Sequence, residues 1–186
     1  MPDSVDVLCS VCAILVDGDL GSARTQLARD YPVAQSFTRR SNWSLRRQLA
    51  VFMRDGFIDR YTGRRLVFPG TLRALSVLMP EEFPFHPNWK QSEAHPAFWD
   101  LSATIDHVVP VARGGADDES NVVTTSMVRN AAKANWLLNE LGWPARRETV
   151  SGSWDGLIGW FHATYEASEQ LKASPSLQRW YRASRR

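Results

Sequence analysis

The stretch that decides the fold spans residues 104–133 and reads TIDHVVPVARGGADDESNVVTTSMVRNAAK. Residues 104–109 are rich in β-prone side chains, and a proline then restricts the backbone. Gly114 and Gly115 supply a turn, after which residues 121–124 have the composition of a returning strand. The pattern predicts two short strands joined by a loop.

The same stretch continues into a predicted helix. Thr125 and Ser126 offer an N-cap, and residues 127–141 contain no glycine or proline. Gly142 follows, with Pro144 beyond it, and this order is typical of a helix C-terminus. The expected unit is therefore ββα, two strands followed by one helix.

A second helix is predicted on the N-terminal side of this unit, with arginines on one face. Ser41 and Asn42 offer its N-cap, and Gly56 ends the pattern. The apolar residues at helical spacing are Leu45, Leu49, Phe52 and Met53. Arg46 and Arg47 lie on the opposite face, where they could reach phosphates or only water.

The remaining segments predict further helices and one irregular loop. Residues 66–68 are expected to form a short strand, and residues 72–79 a helix that ends before Pro80. Residues 80–99 combine four prolines with five aromatic residues, which indicates an ordered loop packed by aromatic side chains. Residues 157–171 carry apolar positions typical of one or two helices that cover the core.

Composition places the chain among ordinary globular proteins. Its 186 residues include 44% hydrophobic residues and eight tryptophans, enough to bury one core, so we expect a single domain over residues 1–186. The net charge is +2, yet residues 39–73 hold nine arginines against two aspartates, and residues 80–120 hold two basic and eight acidic residues. This asymmetry would suit a polyanionic ligand, although each arginine could instead form a solvated helix face.

Targeting and redox signals are few. The apolar stretch 7–16 is too short to cross a bilayer, and no targeting signal is evident. Cys9 and Cys12 have the spacing of metal ligands, but no second pair accompanies them, so we expect buried free thiols. A cytoplasmic location without a membrane partner is the resulting expectation.

Polar side chains of the predicted ββα unit are suited to hydrolysing a phosphodiester bond. An imidazole can accept a proton from water at neutral pH, which makes His107 the candidate general base. Asp106 and Asn130 offer oxygen ligands for Mg²⁺, an ion commonly held by one or two protein carboxylates, water and substrate phosphate. Lys133 follows about one helical turn after Asn130, so both can face the scissile bond.

In order and spacing, these residues resemble the HNH nuclease motif, also called the ββα-metal or His-Me finger, over about residues 55–135. The resemblance implies that His107 is the general base and that Asp106 and Asn130 hold one divalent ion. It also implies that Asn121 pins the loop between the strands and helps to orient the histidine. Asparagine stands at position 130 instead of histidine, and both occur in the family. The expected metal is Mg²⁺, which suits oxygen ligands, with Mn²⁺ as the alternative.

The chain departs from many members of that family in one respect. Those members hold a structural zinc with two Cys-x-x-Cys pairs, and the corresponding positions here look like Asp59, Thr62, Ser126 and Arg129. No structural zinc is therefore expected, and packing must replace it. We expect the aromatic segment 83–99, together with Trp136 and Trp143, to take that role.

The resemblance also sets expectations about architecture and partners. The fold is expected to be α+β, with an HNH core at about residues 51–145, an N-terminal helical region at 1–50 and a C-terminal helical cover at 146–186. The expected substrate is double-stranded DNA, in defence, restriction or mobile-element biology, where small HNH proteins often occur. A homodimer would match the two-fold symmetry of a duplex.

Several cations are expected to contact the nucleic acid backbone, and they are Arg46, Arg47, Arg113, Arg129 and Lys133. Two alternatives stay open. One is a catalytically silent nucleic-acid-binding module, and the other is a nuclease that acts on RNA. Because the chemistry of the motif acts on the phosphate and not on the base, the motif does not distinguish DNA from RNA.

Overall fold

The computed structural model describes residues 3–32, 43–144 and 153–185. Contacts divide the chain into two compact units, Met1–Phe37 and Thr38–Arg186, and each is described by itself. The single domain over all 186 residues stays a prediction, because compactness does not tell whether two units unfold together. The predicted N-cap at Ser41 and Asn42 lies outside the described residues, and the helix is instead capped by Ser44, which accepts the Arg47 N–H at 3.3 Å.

The first unit consists of two helices, α1 (Ser4–Val16) and α2 (Leu20–Asp30). Asp3 and Asp19 cap their N-termini, because each carboxylate accepts a hydrogen bond from a backbone N–H in the first turn. The apolar contact between the helices is formed by Val7, Val11, Ile14 and Ala23. This cluster is small, as expected for a unit of two short helices.

The cysteines of α1 lie outside that apolar contact. Cys9 and Cys12 are both exposed, so the prediction of buried thiols was wrong. Most residues of α1 are apolar, but the stripe that meets α2 is narrow and its buried members are Val7 and Val11. No helix in the described ranges is both long and apolar enough to cross a membrane.

The second unit mixes helices with a small sheet, in agreement with the predicted α+β class. Within its described residues the elements are, in chain order, α3 (Leu45–Arg54), α4 (Pro69–Leu78), α5 (Ala97–Asp100), β1 (Ala103–His107), β2 (Val122–Ser126), α6 (Met127–Lys133), α7 (Ile158–Ala167), α8 (Glu169–Lys172) and α9 (Pro175–Ser184). The β1–β2–α6 succession confirms the predicted order of two strands and a helix.

Strands β1 and β2 pair antiparallel, with Asp106 opposite Val123. A two-stranded sheet is marginal in water, so both outer edges must be covered. The turn after α3 covers the edge of β2: Thr124 donates its N–H to Asp55 Oδ2 at 2.8 Å and accepts the Arg60 N–H at 2.9 Å. Asp55 is only 3% exposed. The Asp55 carboxylate therefore accepts a hydrogen bond that a third strand would accept in a larger sheet.

The outer edge of β1 is covered from two sides. At its start, the Ala103 N–H donates to the Val67 carbonyl at 3.1 Å. Toward its end, Asn130 Nδ2 donates to the Ile105 carbonyl at 3.1 Å, and a second α6 side chain donates to the His107 carbonyl. The helix of the ββα unit is thereby bonded directly to the strand that carries the candidate catalytic residues.

A buried carboxylate ties the turn after α3 to the start of α6. Asp59 is 2% exposed. Its Oδ1 accepts the backbone N–H groups of Tyr61 at 2.9 Å and Thr62 at 3.1 Å. Its Oδ2 accepts the Thr125 hydroxyl at 3.1 Å and the Ser126 N–H at 3.3 Å. Asp59 therefore connects two segments in which the sequence has no zinc-binding cysteine, at positions 59, 62 and 126.

The aromatic residues have a different role from the one predicted. Trp136 is 53% exposed and lies outside the core, so its predicted role as a substitute for zinc was wrong. Trp143 packs against Tyr61, with ring centroids 5.7 Å apart. Phe83 and Phe98 pack on a separate cluster with Leu72 and neighbouring apolar residues. The link between the two turns is polar because a buried carboxylate can satisfy several backbone N–H groups at once.

The main core lies between α3, α4, β1 and the C-terminal helices. Its fully buried large side chains include Phe52, Phe68, Phe161, Leu171 and Leu177. Phe161 comes from α7, Leu171 from α8 and Leu177 from α9, so all three C-terminal helices contribute to it. We predicted one or two helices in the C-terminal cover at 146–186, and its described residues form three. Ser168 caps α8 through its hydroxyl, and Pro175 begins α9.

Two predicted elements differ from the structure. Residues 66–68 do not form a strand, and isolated bridges join Val67 to Ser102 and Arg65 to Ile58. The helix predicted over 127–141 ends at Lys133, because Ala134 takes a positive φ of 45°. No residue in that range breaks a helix by its own propensity, so tertiary contacts decide where α6 ends.

We predict that Asp59→Ala lowers the free energy of unfolding by about 3 kcal/mol, because it leaves buried N–H groups without acceptors. Asp155 is a matched control, since it also accepts two backbone N–H groups but is exposed. Asp155→Ala should lower it by only about 1 kcal/mol. Urea denaturation of both variants measures the difference, and equal losses would contradict the role given to Asp59.

Candidate active site

His107 ends β1, and its imidazole is held by a carboxylate from the loop that follows. His107 Nε2 lies 2.8 Å from Asp117 Oδ1. Both side chains are largely buried, at 11% and 14% exposed. A carboxylate is an acceptor, so Nε2 carries the proton in the neutral ring and Nδ1 has the free electron pair. The pair can therefore present Nδ1 as a proton acceptor.

A tryptophan holds the same carboxylate from the other side. Trp43 Nε1 donates to Asp117 Oδ1 at 2.8 Å, and Trp43 is 6% exposed. Its ring meets the His107 ring edge-on, with centroids 6.4 Å apart and planes at 83°. Arg47 lies over the other ring surface of Trp43, 3.9 Å from the centroid. These contacts restrict both the position of Asp117 and the rotation of the imidazole.

Sequence reasoning missed Asp117 and Trp43. Asp117 stands in an acidic run with Asp118 and Glu119, and nothing in the sequence separates the three. Asp118 is exposed and only caps the local turn through Ser120, whose hydroxyl and N–H lower its pKa. A weak signal did exist, since a carboxylate after the Gly114-Gly115 turn can fold back on the end of β1.

Asn121 holds the loop between the strands closed. Its Oδ1 accepts the Val109 N–H at 3.0 Å, and its Nδ2 donates to the carbonyls of Val109 at 2.8 Å and Ala116 at 2.7 Å. These are the contacts expected of a residue that pins the loop. Gly115 permits them, because a Cβ at this position would lie 1.9 Å from the Val109 carbonyl oxygen.

Asp106 occupies different surroundings from His107, as alternating side chains of a strand do. It is 6% exposed. Its Oδ2 accepts the Tyr61 hydroxyl at 2.5 Å and lies 3.1 Å from Lys133 Nζ. Lys133 also donates to the His107 carbonyl at 2.7 Å. One ammonium therefore joins the backbone of β1 to the candidate metal ligand.

Lys133 has no exposed surface, so its expected contact with a phosphate is not supported. An ammonium buried to this degree requires a charged or polar partner, and Asp106 together with the His107 carbonyl provides it. The sequence correctly predicted that Lys133 lies close to Asn130, but it did not predict that Lys133 is buried. Helical spacing gives the direction of a side chain and not the depth to which its neighbours bury it.

Two oxygens beside β1 are free to bind a cation. Within the described part of the chain, Asp106 Oδ1 and Asn130 Oδ1 accept no hydrogen bond, while Asn130 Nδ2 is held by Ile105. Hard oxygen donors of this kind fit Mg²⁺ or Mn²⁺, which keep water ligands and take up substrate phosphate. The described residues contain no group of three or more His, Cys, Asp or Glu that could enclose a metal. The donor atoms are of the type that Mg²⁺ or Mn²⁺ takes, and Asp106 itself is largely buried.

The remaining predicted cations lie near the surface. Arg113 is exposed and pairs with Glu140 at 2.8 Å, and the Leu137 N–H and the Arg113 guanidinium lower the pKa of Glu140. Arg129 lies over Trp143, 4.7 Å from the ring centroid. Arg46 is exposed. These arginines can be reached by a ligand, whereas Lys133 cannot.

Comparison with known proteins identifies no relative. No protein-family model, no curated protein sequence and no solved structure matches the chain.

We predict that Gly115→Ala lowers the free energy of unfolding by about 3 kcal/mol, because the new Cβ would overlap the Val109 carbonyl. Gly114 is the matched control: its φ is +85°, but a Cβ there meets nothing within 4 Å. Gly114→Ala should lower it by about 1 kcal/mol, from backbone strain alone. Denaturant titration compares the two, and a smaller loss at Gly115 would contradict the close approach.

Proposed function

We propose that this chain is a metal-dependent HNH endonuclease that hydrolyses phosphodiester bonds in DNA, with His107 as the general base. The observation that carries the proposal is the His107–Asp117 pair at the end of β1, inside a β1–β2–α6 unit. An imidazole held by a carboxylate can take a proton from water, and the carboxylate then stabilises the imidazolium that forms. The sequence motif at Asp106, Asn121 and Asn130 supports the same assignment.

Asp106 and Asn130 would hold the divalent ion through the two side-chain oxygens that accept no hydrogen bond from a described residue. When bound, such an ion offsets the negative charge that develops on the phosphate and the leaving oxygen. Lys133 adds a positive charge 3.1 Å from Asp106 Oδ2 without reaching the solvent. Asn121 keeps the intervening loop closed, so Asp117 stays within reach of His107.

Surface charge supports a nucleic acid substrate. Arg46 is exposed, and Arg47 lies over Trp43 beside the His107–Asp117 pair. Arg113 and Arg129 flank the loop and the start of α6. Guanidinium groups at such positions can hold phosphates without reading the bases. Double-stranded DNA is the proposed substrate, and a dimer with two-fold symmetry would suit cleavage of both strands.

One observation favours the second candidate, a nucleic-acid-binding module without catalysis. Asp106 Oδ2 is already bonded to Tyr61 and paired with Lys133, as a purely structural carboxylate would be. Removing either partner of a buried ion pair is strongly destabilising, which would be sufficient reason for both residues to be present. The presence of the held imidazole, which such a module does not need, favours the nuclease.

We predict that the wild-type chain nicks or linearises supercoiled plasmid in Mg²⁺ and loses this activity in EDTA. His107→Ala should reduce cleavage at least about 100-fold, because it removes the proton acceptor. Asp106→Ala and Asn130→Ala should lower turnover and raise the Mg²⁺ concentration required. Gel assays of nicked and linear products measure each effect.

His86→Ala is the matched control, because His86 lies on the loop after α4 and pairs locally with Glu93. It should cleave as the wild type does. Undiminished cleavage by folded His107→Ala would contradict the mechanism. Binding without cleavage of DNA or RNA would support the silent module, and cleavage of RNA alone would change the substrate class.

A separate prediction concerns Asp117, which acts through His107 as a positioning residue. Asp117→Asn should lower kcat about 100-fold and leave KM nearly unchanged, because the imidazole loses its partner while the phosphate contacts remain. Asp117→Glu should restore part of kcat. Asp118→Asn is the matched control, since its carboxylate bonds only the local turn. Equal effects of Asp117→Asn and Asp118→Asn on kcat would contradict the assignment.

A further inference from the structure

A half-open cavity of about 190 Å³ lies between α4, α9 and the aromatic loop, away from the His107–Asp117 pair. Its lining is formed by Pro69, Arg73, Phe85, Trp89, Phe98, Ser102, Ser176 and Trp180. A cavity of about 150 Å³ with apolar walls is large enough to admit benzene. This cavity is therefore large enough for a planar six-membered ring.

Three aromatic rings form one wall of the cavity. The ring centroids of Phe85 and Trp89 are 5.9 Å apart, those of Phe85 and Phe98 are 5.1 Å apart, and those of Trp89 and Phe98 are 6.2 Å apart. Trp89 is 36% exposed and has a positive φ of 55°, which is strained for a large side chain. Strain of this kind is found at ligand clamps, where surrounding contacts hold a side chain in place.

A cation without an acidic partner lies at the same wall. The Arg73 guanidinium stands 3.7 Å from the Phe85 ring centroid and donates to the Ser76 hydroxyl at 2.8 Å. Within the described part of the chain it pairs with no carboxylate, and burial lowers its pKa. Most of its donors therefore remain available to an anion.

A serine hydroxyl on the lining is not bonded to any described residue. Ser102 is 3% exposed and lines the cavity. Its hydroxyl makes no hydrogen bond to any described residue, although its backbone is bridged to Val67. A hydroxyl can both donate and accept, so this one can bond to a polar edge of a ligand.

We propose that this cavity binds one nucleotide of the substrate strand, with its base against the aromatic wall and its phosphate at Arg73. The inference rests on the proposed nuclease function for the identity of the strand. Charge and shape select the occupant, because a nucleotide combines a flat ring, a polar ring edge and an anion. An uncharged apolar ligand would leave the Arg73 and Ser102 groups unused.

The length of β1 agrees with a single DNA strand that contacts both the cavity and His107. Ser102 and His107 are five residues apart, which is about 17 Å in an extended strand. This distance is about five base steps of a B-form duplex, at about 3.4 Å each. A nucleotide in the cavity and a phosphate at His107 can therefore belong to one strand. In that case the cavity would contribute to substrate selection at a distance from the cleaved bond.

The test measures the binding of dTMP and of thymidine to the full chain in EDTA by ligand-observed NMR titration. We expect dTMP to bind about tenfold more tightly than thymidine, because only dTMP carries the phosphate. Arg73→Gln should remove that difference, and Arg73→Lys should restore part of it. Trp89→Ala should weaken the binding of both ligands by about 5- to 100-fold, through loss of stacking.

The matched controls are an arginine and a tryptophan outside the cavity. Arg65 also lies over an aromatic ring, 4.9 Å from the Trp154 centroid, and Trp136 is exposed. Arg65→Gln and Trp136→Ala should bind both ligands as the wild type does. Circular dichroism and thermal unfolding of each variant verify that it is folded.

The outcomes separate this inference from the proposed function. Arg73-dependent dTMP binding supports the inference even if plasmid cleavage is absent, and His107→Ala should retain that binding. Absence of dTMP binding in a chain that cleaves plasmid would overturn the inference and leave the nuclease proposal intact. Binding of indole with no preference for dTMP over thymidine would also overturn it, because the cavity would then be a general apolar site.

Discussion

The backbone N–H and C=O groups on both outer edges of the two-stranded sheet need hydrogen-bond partners. The elements of the second unit are arranged to provide them. Two strands leave two rows of unpaired backbone groups, and burial makes each unpaired group unfavourable. The turn after α3 supplies the carboxylate of Asp55 and the Arg60 N–H to β2. Helix α6 supplies Asn130 and Lys133 to β1. Three side chains and one backbone N–H thus do what neighbouring strands do in a larger sheet, and Lys133 also pairs with Asp106.

This use of side chains explains why Asp106 and His107 have different surroundings. Lys133 is needed at the strand edge, so it is buried and pairs with Asp106 instead of facing a substrate. His107 points away from that pair and meets Asp117 and Trp43. The two neighbours in sequence therefore have separate environments, one cationic and one carboxylate-bound. The imidazole bound to a carboxylate and the carboxylate paired with an ammonium are therefore neighbours in sequence that have different partners.

A buried aspartate, Asp59, joins two segments of the second unit by hydrogen bonds. Asp59 joins two turns through four hydrogen bonds, a task for which a zinc ion and four thiolates would otherwise be suited. Because these positions lack cysteines, the sequence predicted no structural zinc. It predicted that aromatic packing takes that role. The aromatic residues instead form their own cluster and line a cavity beside α4 and α9.

The sequence alone was sufficient to predict the ββα order, the Ser126 cap of α6, the end of α3 before Gly56 and the candidate residues at positions 106, 107, 121 and 130. These follow from local rules, since turn residues, caps and alternation act over a few neighbours. Only the tertiary structure decided that Asp117 and Trp43 hold His107, that Lys133 is buried and that α6 stops after seven residues. Trp43 and Asp117 are 74 residues apart, and no local pattern encodes a contact of that separation. The physical reason is that burial and long-range hydrogen bonds depend on which surfaces meet, and that is set only when the whole unit packs.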